Sequence, residues 1–98
     1  MSEELRPADF RGLAAPLSMR VRIGETESTL ELAVESVDPL PPHRLRAEPF
    51  SLILAGPASP ALPQATYAVS HPTLGVIRLF LVPVSRDTAA TRYEVTFN

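Results

Sequence analysis

The sequence predicts an all-β domain, a small antiparallel six-stranded barrel or sandwich built from hairpins, with a short N-terminal helix. Three observations lead there. Apolar residues alternate with polar ones over residues 17–23 and again over 29–37. The run Ala65 to Val84 contains a turn, His71-Pro72-Thr73-Leu74-Gly75, set between two stretches rich in β-branched and aromatic residues. The remaining runs are punctuated by proline and glycine at short intervals, as in small barrels and sandwiches.

The 98 residues make one domain, and a chain of that size buries roughly 60–70% of the surface its unfolded form exposes. Residues 1–16 form a helical segment and lead-in, and residues 17–98 form a β core with proline-rich loops at 38–47 and 57–64. With no cysteine, disulfide frameworks and thiolate chemistry are excluded. The acidic start Met-Ser-Glu-Glu lacks a signal peptide's basic and apolar regions, and no apolar run has the length of a membrane span, so a cytoplasmic location is expected. All nine basic residues are arginine, which reads as the codon bias of a GC-rich bacterial genome. Their scatter, with a net charge of −2, leaves no basic stripe for nucleic acid.

Element by element, Pro7 opens a helical turn over residues 7–14, with Phe10 and Leu13 on one face. Leu17, Met19, Val21 and Ile23 then line one side of a strand. Treating Gly24 to Glu27 as the loop pairs Val21 with Leu30, Met19 with Leu32 and Leu17 with Val34. Arg20 then meets Glu31 on the solvent face, a pair worth about 0–1 kcal/mol. Three prolines in residues 38–47 exclude a central strand there and predict a long loop. Phe50, Leu52 and Leu54 share one face of the third strand, which stops at Gly56-Pro57.

A four-residue loop between His71 and Val76 sets Val69 against Arg78, Tyr67 against Phe80 and Ala65 against Val82. The last strand, from Arg92 to Phe97, then pairs Phe97 with Phe80, Val95 with Val82 and Tyr93 with Val84. Tyr67, Phe80, Tyr93 and Phe97 form the expected aromatic heart of the core. On the opposite face of the fifth strand lie Ile77, Leu79 and Leu81, which must be covered by the N-terminal segment, a second sheet or a partner subunit.

Few residues invite chemistry. His43 reads as a loop residue and His71 as a structural ring closing its turn. Ser70, His71 and Asp87 are the residue types of a hydrolase triad, but Ser70 and His71 point to opposite faces of a strand. Glu31 and Glu35 face solvent, the four glycines are isolated, and no metal-ligand spacing occurs. Cofactors are expected to be none, and nothing supports an enzyme.

The runs Glu48-Pro49-Phe50-Ser51-Leu52, Gly56-Pro57, Leu62-Pro63-Gln64 with Tyr67, His71-Pro72 with Leu74-Gly75, and Leu79 to Val84 carry a resemblance. So do Asp9-Phe10, Tyr93-Glu94 and Phe97-Asn98. Together they resemble a family of small bacterial domains of unknown function. The resemblance implies a stand-alone cytosolic protein with an assembly or accessory role linked to tail-collar and tail-fibre-like proteins, and it brings no catalytic residues. The expected function is a structural or protein-interaction module, binding itself or a protein partner through Ile77, Leu79 and Leu81. The alternative is a small-ligand-binding barrel with Tyr67, His71, Arg78 and Phe80 at its mouth. Neither nucleic acid nor membrane is an expected partner.

Overall fold

The computed structural model describes residues 5–13, 15–42 and 49–97. His43 and residues 44–47 of the expected 38–47 loop lie outside the described residues, and the first two positions of that expected loop, Asp38 and Pro39, are instead the end of a strand, paired with Ser51 and Phe50. A helical turn, α1 (Pro7–Phe10), precedes six strands: β1 (Leu17–Ile23), β2 (Thr26–Pro39), β3 (Phe50–Gly56), β4 (Ala65–His71), β5 (Gly75–Arg86) and β6 (Thr91–Phe97). All pairings are antiparallel, and the strands close into a barrel in the order β1-β2-β3-β6-β5-β4.

Alternation places the expected faces inward on β1, β2 and β3. Leu17, Met19, Val21, Leu30, Leu32, Phe50, Leu52 and Leu54 are all buried. The β1–β2 register nevertheless differs from expectation. Leu17 faces Leu32, Met19 faces Leu30, and Arg20 faces Thr29 rather than Glu31. The turn is only Gly24-Glu25, closed by Ile23 and Thr26, with Gly24 at φ +63° as the first position of a tight hairpin turn requires. Shortening the loop moves the pairing by two residues, and a shift of two keeps every side chain on its face.

The β4–β5 hairpin is displaced by one residue, and there the faces change. Gly75, at φ +74°, pairs with His71, so the loop is Pro72-Thr73-Leu74 and Tyr67 faces Leu79 instead of Phe80. The His71 ring holds this shorter loop: Nδ1 accepts from the N–H of Thr73 at 3.0 Å and of Leu74 at 3.4 Å, and Nε2 donates to the Ala15 carbonyl at 3.1 Å. Leu79 and Leu81 therefore point into the barrel, and Phe80 points out.

The expected aromatic cluster is corrected accordingly. Tyr93 is buried inside, but Phe97 stacks on Phe50, its cross-strand partner, with ring centroids 4.4 Å apart. Phe10 of α1 completes that group at 5.9 Å from Phe50 and 5.6 Å from Phe97, closing one end of the barrel. At the other end the 57–64 loop is tied down by four bonds. The Tyr93 hydroxyl accepts from Leu62 N–H at 2.9 Å, and Tyr67 donates to the Pro63 carbonyl at 2.6 Å. Arg86 and buried Thr91 both donate to the Ala58 carbonyl.

The two longest strands each carry a bulge. Pairing between β2 and β3 shifts at Glu35, and pairing between β5 and β6 shifts at Val84. Extra residues at these points let β2 and β5 leave one partner strand and join another, turning a sheet into a barrel.

At Gly56, an added Cβ would sit 2.6 Å from Leu32 Cδ2, whose side chain is fully buried. Gly56→Ala should therefore cost about 1–3 kcal/mol by urea denaturation, the usual penalty for overpacking a filled core. Combining it with Leu32→Val should return part of that loss, and a single variant as stable as the parent would show the contact to be slack.

Candidate functional site

The residues expected to act together are distributed by the register. Leu79 and Leu81 are core residues and Ile77 is half-buried opposite Val69, so this face of β5 is covered by the barrel itself and offers no surface. The ligand mouth is corrected as well. Tyr67 and His71 face inward at positions about 13 Å apart along β4, given ~3.3 Å per residue. Their polar atoms are engaged by Pro63, Ala15 and the 72–74 loop. Arg78 and Phe80 project outward from β5. The one-residue difference in the hairpin thus separates the four residues into two groups.

The same displacement puts a different apolar set on the surface. Val76 is 74% exposed, Phe80 49% and Val84 51%, all along the outside of β5. β5 is apolar on both faces, as the sequence predicts, but the face that fills the core is that of Leu79 and Leu81 and not that of Phe80. The signal that could have decided it is Gly75, which at positive φ closes the hairpin opposite His71 and so leaves one residue fewer in the loop.

An open cleft of about 490 Å³ adjoins this surface. It runs along the β1–β4 contact and is lined by Ser18, Met19, Arg20, Ala68, Val69 and Val76, among others. Its floor is apolar, because Met19 and Val69 are buried, and its walls are small or polar. Of all the strand contacts that close the barrel this is the sparsest: Ser18 and Ser70 form its single backbone pair, supplemented by Ser70 Oγ donating to the Ser18 carbonyl at 3.4 Å.

On the opposite side of the molecule, Arg92 lies across the two bulges. Its Nε meets Glu35 Oε1 at 2.7 Å and its Nη1 meets Asp87 Oδ2 at 3.1 Å. Asp87 also accepts from the N–H groups of Ala89 and Ala90, which caps the β5–β6 turn. These backbone bonds first, and the Arg92 guanidinium second, hold the Asp87 carboxyl below its usual range. Arg92 itself is raised, chiefly by its bond to Glu35. Every group here is satisfied by another, so this cluster is a structural clip. Among the described residues no three His, Asp or Glu side chains converge as metal ligands, and no helix is long and apolar enough to cross a membrane.

Because its folded pKa is lowered, Asp87 contributes stability that is present above the ordinary carboxylate pKa of about 3.9 and lost as pH falls through the folded value. Asp87→Ala should lower the urea midpoint at pH 7, and the gap to wild type should narrow below about pH 3. A gap independent of pH would deny the carboxylate this role.

No curated protein and no solved structure matches the chain. The family model described as Domain of unknown function (DUF6916) matches residues 5–97, and the chain belongs to that family.

Proposed function

We propose that this domain is a non-enzymatic protein-interaction module of the cytoplasm, and that its contact surface is the outer face of β5. The observation that carries the reading is the exposure of Val76, Phe80 and Val84 on a strand whose other face already fills the barrel. Apolar side chains clustered on a strand exterior are favoured as contacts with another protein, since burying each removes apolar surface from water. An assembly or accessory role beside tail-collar-like proteins is the setting that the sequence resemblance implies for such a module.

A small-ligand barrel has less in its favour. Leucine, valine and tyrosine side chains from all six strands fill the interior, and Tyr67 and His71 are occupied in holding loops. Among the described residues enzyme activity likewise has no nucleophile–base pair to support it: Ser70 is bonded to the Ser18 carbonyl and the His71 nitrogens to backbone groups.

The reading is tested by light scattering across a wide concentration range, on wild type and on a Val76→Ser/Phe80→Ser/Val84→Ser variant. Wild type should associate as concentration rises, and the variant should keep the 10.7 kDa monomer mass with unchanged thermal unfolding. Association that persists undiminished in the variant would remove this face as the contact.

A further inference from the structure

We propose that the β1–β4 seam receives an extended acidic segment of a partner protein, which adds to the barrel as a strand. This inference rests on the interaction-module reading and names the chemistry of the partner.

Backbone geometry is the first support. In an antiparallel ladder, alternate residues turn both their N–H and C=O to the same side. The two-residue turn makes Ile23 and Thr26 a hydrogen-bonded pair, so Ile23, Val21, Met19 and Leu17 direct these groups to β2. Ser18, Arg20 and Arg22 direct theirs to β4. The Ser18–Ser70 pair sets the facing register, in which Ala68 would meet Arg20 and Thr66 would meet Arg22. Neither pair belongs to the β1–β4 ladder, which consists of Ser18–Ser70 alone, so the seam-facing backbone of these four residues is not joined across it by ladder pairing. Unpaired strand edges on both sides of a cleft are a template for strand addition.

Side chains supply the second support. An added strand would place alternate residues toward the buried Met19 and Val69 of the cleft floor, which calls for apolar side chains there. Its other residues would face outward among Arg20, Arg22 and Arg78, of which Arg78 sits opposite Ala68 on β5. Among the described residues neither Arg22 nor Arg78 has an ion pair. Arg20 meets Glu27 at 3.6 Å with both side chains largely exposed, a contact that water and salt weaken. The carboxylates Glu27 and Glu31 lie one strand away on β2, so the border of the seam is cationic. Val76 at its rim joins the seam to the apolar face of β5. Because β1 and β4 are antiparallel, the incoming strand runs antiparallel to one and parallel to the other.

The experiment uses the full chain and two capped peptides, one alternating glutamate with valine and one alternating lysine with valine. Amide hydrogen exchange is followed by NMR. The glutamate peptide should slow exchange at Arg20, Arg22, Thr66 and Ala68, and the lysine peptide should not. Ala68→Pro removes the seam-facing N–H while leaving the β4–β5 ladder bonds in place, and should weaken binding about ten-fold, the ratio for one lost hydrogen bond with its partner left unpaired. Arg20→Glu/Arg78→Glu should exchange the preference between the two peptides, and it carries the test should the proline variant not fold. Unchanged exchange at all four amides, or equal protection by both peptides, overturns the seam. Concentration-dependent association that still requires Val76, Phe80 and Val84 would then leave the module reading standing, and its loss as well would remove both.

Discussion

The barrel depends on the two bulges, because each long strand must belong to two halves of the sheet at once. β2 pairs with β1 through its first part and with β3 through its second, and β5 passes from β4 to β6 in the same way. A regular strand could not make both sets of bonds while keeping its apolar residues inside. The extra residue at Glu35 reverses the parity of β2, so that Leu30, Leu32 and Val34 before it and Val37 after it share the interior side. On β5 the bulge at Val84 follows Pro83, a residue with no N–H to give to a ladder and at home in such an irregularity. Arg92 then ties the two together. It lies opposite Ala55, itself opposite Ala33, and these small side chains leave the guanidinium a path across β3 to Glu35.

With the strands turned in this way, the ends of the barrel need separate covers, and the chain uses different chemistry for each. Three phenylalanines from α1, β3 and β6 seal one end by ring packing. At the other, a proline-rich loop is held by hydrogen bonds from Tyr93, Tyr67, Arg86 and Thr91, so its carbonyls at Ala58 and Pro63 and the Leu62 N–H are satisfied without regular structure. Leu62 fills the space beneath. Between these fastened ends the β1–β4 contact, with its single backbone pair, is the least satisfied part of the wall. The proposed strand addition would use this seam, where the ladder stops beside an exposed apolar strand.

Much of this was legible from residue order. Alternation predicts β1 and β2 with their inward faces, because Arg20, Arg22 and Glu31 lie on the other side and a slip of one would bury them; in β3 the larger side chains Phe50, Leu52 and Leu54 mark the inward face. Pro57 and Pro63 marked a loop. His71 closes its own turn, as its place before Pro72 predicts, since a ring next to a Pro-containing loop has backbone N–H groups within reach. The seam was not legible: it is made by the absence of pairing between strands separated by the whole β2–β3 segment, and nothing local records an absent bond.

What the sequence by itself determined is the set of strands, the places where the chain turns and the antiparallel class, because alternation and turn chemistry act over a few residues; the lengths of the two hairpin loops, two and three residues instead of four, depended on the pairing of whole strands. Tertiary structure alone decided which face of β5 is inside. Ile77, Leu79 and Leu81 lie on one side and Val76, Phe80, Val82 and Val84 on the other, interrupted only by Arg78, whose long side chain can reach water from the edge of a core, so local preference opposes a one-residue slip only weakly. The choice falls to Gly75 at positive φ, the His71 ring on a three-residue loop and the parity change at Val84, which together fit Leu79 and Leu81 among the side chains of the other strands. The same choice that fills the core leaves Val76, Phe80 and Val84 in water.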